Sequence, residues 1–107
     1  MTIINLTPHT INICNASGEI IREIPASGQL CRVSSRTVQT GEIDGIPVTE
    51  TQFGDVENLP APQDGTVFIV SLAVASRVPE RQDVFVPSES VRDAQGRIIG
   101  CKSLGRV

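Results

Sequence analysis

The chain has 107 residues, 39% of them hydrophobic, and a formal net charge of −3 at pH 7. This is close to the commonest size of one folded domain, so we expect a single domain over residues 1–107. An acidic chain argues against general binding to DNA or RNA, which depends on basic contacts to phosphates. Its three aromatic residues are all phenylalanine, too few for a stacking platform for single-stranded nucleic acid.

The sequence predicts a cytoplasmic protein. Its first residues lack the basic and apolar regions of a signal peptide. The longest apolar run, at residues 67–75, is too short to span a bilayer, so no membrane contact is expected. Cys14, Cys31 and Cys101 are an odd number of cysteines without metal-ligand spacing, which is typical of reduced thiols.

The first half of the chain alternates polar and apolar residues with the period of β-strands. Strands are predicted at residues 2–6, 9–14, 19–24 and 29–34. Asn-Ala-Ser-Gly at residues 15–18 predicts a hairpin turn, and Asp-Gly at residues 44–45 predicts another. A further reversal is expected near residues 40–41, and the stretch 54–65, which contains two prolines, is the longest predicted loop.

The pattern changes in the second half. Residues 66–70 form a continuous apolar run dominated by β-branched residues, which is typical of a central strand covered on both faces. Ser71 is a good helix N-cap and Pro79 a good stop, so one short helix is predicted near residues 71–78. A continued strand is the alternative, because the segment contains valines.

Two further strands complete the predicted fold. One covers residues 83–86 and ends at Pro87, and the other follows a turn at residues 93–96. Many short strands with one short helix predict a mostly-β or α+β domain, built as a compact antiparallel sheet or a barrel-like meander.

No catalytic constellation is visible in the sequence. His9 is the only histidine, and no spacing pairs it with Ser71 or a cysteine for nucleophilic catalysis. A metal site needs three or four suitable ligands, and no such set is specified. Glycine-rich phosphate loops are also lacking. We therefore expect no catalytic residue, no metal and no cofactor.

The C-terminal third carries the candidate ligand-binding residues. Of the nine cationic residues of the chain only Lys102 is a lysine, and guanidinium groups form bidentate bonds to phosphates. A helix that begins at Ser71 would also offer free backbone amides to an anion. The candidates here are Ser71, Arg77, Arg81, Asp83, Arg92 and Arg97. The alternative is that they are solvated turn residues.

Thr7 and His9 are further candidates. They belong to the sequence Asn-Leu-Thr-Pro-His at residues 5–9, where Pro8 interrupts strand pairing. Their polar groups would then be free to meet a ligand or a partner chain. Alternatively, Thr7 only forms hydrogen bonds around a local bend.

These motifs together resemble those of a group of small phage, prophage and bacterial proteins. The matching segments are residues 4–9, 68–71, 74–75, 81–84, 91–93 and 100–101, with Pro87 and Gly96. The resemblance spans nearly the whole chain, and it implies an intracellular accessory protein, often phage-encoded. Such proteins include inhibitors of bacterial immunity that sequester nucleotide-derived signals.

The leading hypothesis is a non-enzymatic protein that binds and sequesters a small phosphorylated nucleotide, such as a cyclic nucleotide or an ADP-ribose derivative. A homo-oligomer with sites at subunit interfaces is expected, because one small domain rarely encloses a charged ligand. One alternative is a protein–protein inhibitor or virion accessory subunit that uses exposed β edges. The other is a small nucleotide hydrolase or lyase with His9 as acid or base.

Overall fold

The computed structural model describes all 107 residues and consists of eight strands and one helix. In chain order these are β1 (Thr2–Asn5), β2 (Ile11–Cys14), β3 (Ile20–Ile24), β4 (Arg32–Ile43), β5 (Ile46–Glu57), β6 (Thr66–Ile69), α1 (Leu72–Arg77), β7 (Val84–Arg92) and β8 (Ile98–Gly105). The mostly-β fold class with one short helix, predicted from the sequence, is confirmed.

Six strands form one mixed sheet in the order β1-β6-β7-β8-β2-β3. We call this sheet and α1 together the body. β6 pairs in parallel with both β1 and β7, and β2 pairs in parallel with β8. The β2–β3 and β7–β8 pairs are antiparallel hairpins, with turns where the sequence predicts them. β1 and β2 follow each other in the chain but are not neighbours, so the corner at residues 5–9 sends the chain across the sheet.

The core lies around β6 and α1. Phe68, Ile69 and Val70 have no exposed surface, as expected for a central strand covered on both faces. Val74 and Ala75 of α1 are buried in the same part of the molecule. Burying each of the large side chains stabilises the fold by about 1.5–3 kcal/mol.

The predicted helix N-cap is also confirmed. The Ser71 hydroxyl accepts a hydrogen bond from the Val74 amide at 3.3 Å, and Val78 is the C-cap residue, directly before Pro79. The helix has six residues and connects β6 to its parallel neighbour β7. It is neither long nor apolar enough to cross a lipid bilayer.

β4 and β5 form a separate two-stranded hairpin of 12 residues per strand, which we call the arm. Its turn is the predicted Asp-Gly at residues 44–45. The arm extends the molecule to 51 × 39 × 23 Å, with a radius of gyration of 16.8 Å. A compact chain of this length has a radius of gyration of about 13 Å.

The structure corrects three predicted element boundaries. The expected reversal near residues 40–41 is a register shift inside β4, which continues to Ile43. β5 continues to Glu57, so the loop that was predicted to begin at residue 54 is shorter. β7 runs through Pro87 because β6 ends beside Phe85, and no neighbouring strand on that side needs an amide hydrogen from the proline.

Candidate ligand-binding site

Thr7 and His9 lie in a corner that is organised by Asn5. Asn5 is 1% exposed, and its amide nitrogen donates to the carbonyls of His9 (2.7 Å) and Ile24 (3.0 Å). Its amide oxygen accepts from the backbone amide of Thr7 (2.9 Å) and from the Thr7 hydroxyl (2.6 Å). Thr7 is therefore engaged in local hydrogen bonds, and the exposed His9 contributes its carbonyl to the corner.

Ser71 is likewise committed to local structure. Its hydroxyl oxygen caps α1 by accepting a hydrogen bond from the Val74 amide. Ser71 follows β6 directly, and the Leu6 amide donates to the Ile69 carbonyl at 2.9 Å, so Ser71 and the Asn5 corner lie at the same end of the β1–β6 pair.

Arg81 and Asp83 bind each other. Arg81 donates from Nε to Asp83 Oδ1 at 2.8 Å and from Nη2 to Asp83 Oδ2 at 2.9 Å. Its Nη2 also donates to the Pro60 carbonyl at 2.9 Å. The two side chains are only 17% and 16% exposed. A bidentate pair at such low exposure fixes the plane of the guanidinium group.

The electrostatics of the pair follow from these bonds. The hydrogen bond from Arg81 holds the pKa of Asp83 below its ordinary value, against the opposing effect of burial. The same bond raises the pKa of Arg81. Both groups are therefore charged at neutral pH.

The remaining predicted arginines are exposed. Arg77 lies in the last turn of α1, where a cation is favourable for the helix dipole. Arg92 donates from Nη1 to the Gly96 carbonyl at 2.7 Å across the β7–β8 turn. The backbone amide of Arg97 donates to the Asp93 carboxylate at 3.0 Å in the same turn.

The structure does not bring the predicted candidates into one pocket. Arg81 and Asp83 precede β7, whereas Arg92 is its last residue. β7 has nine residues, so its two ends lie about 25 Å apart. Thr7 and His9 follow β1 and Ser71 follows β6, and none of the three lines the cleft that contains Arg81; a ligand role for each of the candidates stays a prediction.

A cleft that the sequence did not reveal contains Arg81 together with Arg106. Its volume is about 120 Å³, and it is lined by Ala75, Val78, Arg81, Gln82, Val84 and Arg106, among others. We call it the arginine cleft. Arg106 was missed because it lies 25 positions after Arg81 in the sequence and is brought there by β8.

Arg106 is oriented by two neighbours. Its Nη1 donates to Gln82 Oε1 at 2.8 Å. Its Cζ lies 5.0 Å from the centroid of the Phe85 ring, within the range of a cation–π contact. The arginine cleft therefore presents two guanidinium groups, each held by a defined partner.

A second concave surface lies on the arm. It is an open cavity of about 410 Å³ lined by Ser34, Ser35, Arg36, Gln52, Phe53 and Gly54. Arg36 donates from Nε to Gln52 Oε1 at 3.0 Å, and Phe53 is 52% exposed. All of these residues belong to β4 and β5, so the two strands of the arm alone form this surface.

Comparisons with known proteins were made with protein-family models, with curated proteins and with solved structures, and none of the three gives a match.

Proposed function

We propose that the protein is a non-enzymatic binder that sequesters a small phosphorylated nucleotide, with the phosphate held in the arginine cleft. The observation that supports this most is the pair of oriented guanidinium groups of Arg81 and Arg106. Guanidinium groups that are already held in place lose less conformational entropy when they bind a phosphate.

The donor count supports the same role for Arg81. Three of its five N–H groups donate to Asp83 and Pro60. The two N–H groups of Nη1 have no partner within the protein and are available to a phosphate. Arg106 similarly uses one N–H group on Gln82 and keeps its others free.

The size of the cleft favours a site completed by a second copy of the chain. Pockets that enclose a small organic ligand have volumes of about 300–1,000 Å³. The arginine cleft, at about 120 Å³, has room for a phosphate but not for a whole nucleotide. The remaining walls would come from a neighbouring subunit.

The arm provides the surface for such an assembly. An isolated two-stranded hairpin is marginally stable in water. Ile43 and Ile46 at the arm's tip are each 65% exposed, and Val48 and Phe53 are 37% and 52% exposed. Packing the arm against a second copy would bury these side chains.

The arm also supports a second candidate function, a protein–protein inhibitor or a virion accessory subunit. In that case the same apolar residues would pack against a different protein. The nucleotide lyase or hydrolase alternative depends on His9, which lies beyond the carboxyl end of β1. His9 is not among the residues that line the arginine cleft, so the cleft itself gives this alternative no support.

Thermal shift with a nucleotide panel tests the proposal. We expect at least one cyclic nucleotide or ADP-ribose derivative to raise the melting temperature. Arg106→Ala should weaken binding by about 1.5–3 kcal/mol, the loss typical of a charge-assisted hydrogen bond. Arg22→Ala on the exposed strand β3 is the matched control, because it removes the same charge away from the cleft.

If no nucleotide shifts the melting temperature, the proposal fails. If Arg97→Ala weakens binding while Arg106→Ala does not, the site belongs at the β7–β8 turn instead.

A further inference from the structure

We propose that Asp83 is a specificity-determining residue: it shifts the selectivity of the arginine cleft away from terminal phosphate monoesters and toward phosphodiesters of the same nucleotide. This inference depends on the proposed function, since it assigns the class of phosphate that the cleft accepts. It follows from the charges and hydrogen bonds around Arg81.

The charge of the cleft is set by three side chains. Arg81 and Arg106 each carry one positive charge, and Asp83 cancels one of them through its bidentate bond to Arg81. Gln82, the partner of Arg106, is neutral. The exposed Glu80 adds a further negative charge near Arg81. Asp83 therefore lowers the positive charge that the two arginines present to a ligand.

A phosphodiester carries one negative charge per phosphorus, whereas a terminal phosphate carries about −1.5 to −2 at pH 7. Because the Coulomb energy scales with the charge of the ligand, Asp83 opposes a monoester more strongly than a diester. A monoester would bring a second negative charge toward the Asp83 carboxylate, which is itself only 16% exposed and weakly screened.

Asp83 also decides which donors remain. The Asp83 carboxylate already accepts hydrogen bonds from Nε and Nη2 of Arg81, so these two donors cannot form a bidentate contact to a phosphate. Only the Nη1 group is left, and it can contact one or two unesterified oxygens. A diester has two such oxygens and a monoester has three, so the third oxygen of a monoester depends on donors other than Arg81.

Isothermal titration calorimetry with two matched ligand pairs tests the inference. The pairs are 3′,5′-cyclic AMP against AMP, and ADP-ribose against ADP; each pair shares a nucleoside and differs in the presence of a terminal phosphate. The wild-type protein gives the reference ratio of diester to monoester affinity. Asp83→Asn should reduce that ratio about tenfold, because the cleft then carries one more positive charge.

Gln82→Glu is a second variant that does not disturb the Arg81 pair. Gln82 is exposed, and a glutamate can still accept from Arg106, so the fold should be retained. The added negative charge should weaken the monoester more than the diester and increase the preference about tenfold. Glu23→Gln on the exposed strand β3 is the charge control and should leave the preference unchanged.

The outcomes separate the two proposals. If neither Asp83→Asn nor Gln82→Glu changes the ratio of diester to monoester affinity, the inference is overturned while the proposed function stands. If no ligand of either pair binds and no panel nucleotide shifts the melting temperature, both are overturned.

Discussion

Replacing Asn5 with alanine should destabilise the protein more than any other single polar substitution in the corner at residues 5–9. Asn5 is the one polar residue among the buried side chains, and it makes four hydrogen bonds. The alanine variant leaves the His9 carbonyl, the Ile24 carbonyl and the Thr7 amide without this partner. At about 1 kcal/mol for each group, the free energy of unfolding should fall by about 3 kcal/mol.

Urea denaturation followed by circular dichroism measures this loss. About 3 kcal/mol is a large share of the 5–15 kcal/mol that is typical of a domain, so the midpoint should shift clearly while the slope is retained. Asn12→Ala is the matched control, because the Asn12 side chain makes a single hydrogen bond, to the Ile99 carbonyl at 3.1 Å. It should cost about 1 kcal/mol.

Asn5→Asp sharpens the test. The aspartate keeps an oxygen for Thr7 but points a second oxygen at the carbonyls of His9 and Ile24, where the asparagine donates. It should therefore be at least as destabilising as alanine. An Asn5→Ala variant that loses no more stability than Asn12→Ala would refute the structural role of this corner.

Three further predictions concern the charge pair, the helix cap and the arm. Asp83→Asn should lower the free energy of unfolding by about 2–3 kcal/mol at pH 7. Because the pKa of Asp83 is lowered in the folded state, the extra stability of the wild-type protein should persist above pH about 4 and disappear as the pH falls through the folded-state pKa. Urea denaturation at a series of pH values from 7 to 2 would measure this loss. Ser71→Ala should cost about 1 kcal/mol by removing the helix cap, and an unchanged urea midpoint would contradict that role. Calorimetry of the same variant with the nucleotide panel tests the predicted ligand role of Ser71 separately. Replacing residues 37–51 with an Asn-Gly turn should leave the melting temperature within about 5 °C and abolish self-association in sedimentation experiments, because the removed residues lie outside the buried core; unchanged self-association would place the interface on the body.

Local signals in the sequence were sufficient for much of the fold. The turns at residues 15–18 and 44–45 and the Ser71 cap were predictable because each depends on a few adjacent residues with defined backbone preferences. Gly18, for example, has φ +84°, a conformation that glycine adopts readily.

Strand order and parallel pairing were not predictable in this way, since they depend on contacts between distant residues. β2 lies beside β8, and Ile13 is opposite Cys101 in that pair. The length of the arm was also missed, because Gly41 and Gly54 look like strand ends in the sequence. In the structure they lie within long paired strands.

The candidate site shows the same division. The sequence showed that the C-terminal third is rich in arginine, and the candidate residues there included Arg81 and Asp83. That these two residues bind each other, and that Arg106 joins Arg81 in one cleft, depends on the path of β7 and β8. Arginines close in sequence, such as Arg92 and Arg97, instead lie at a hairpin turn.

Gel filtration of protein incubated with the nucleotide panel, followed by heating and mass spectrometry of the released material, tests the central claim most directly. A sequestering protein should carry a nucleotide through the column and release it chemically unchanged, with much less carried by Arg106→Ala than by Arg22→Ala. Recovery of a cleaved product would identify an enzyme. Recovery of no nucleotide from the wild-type protein would contradict the binding function altogether.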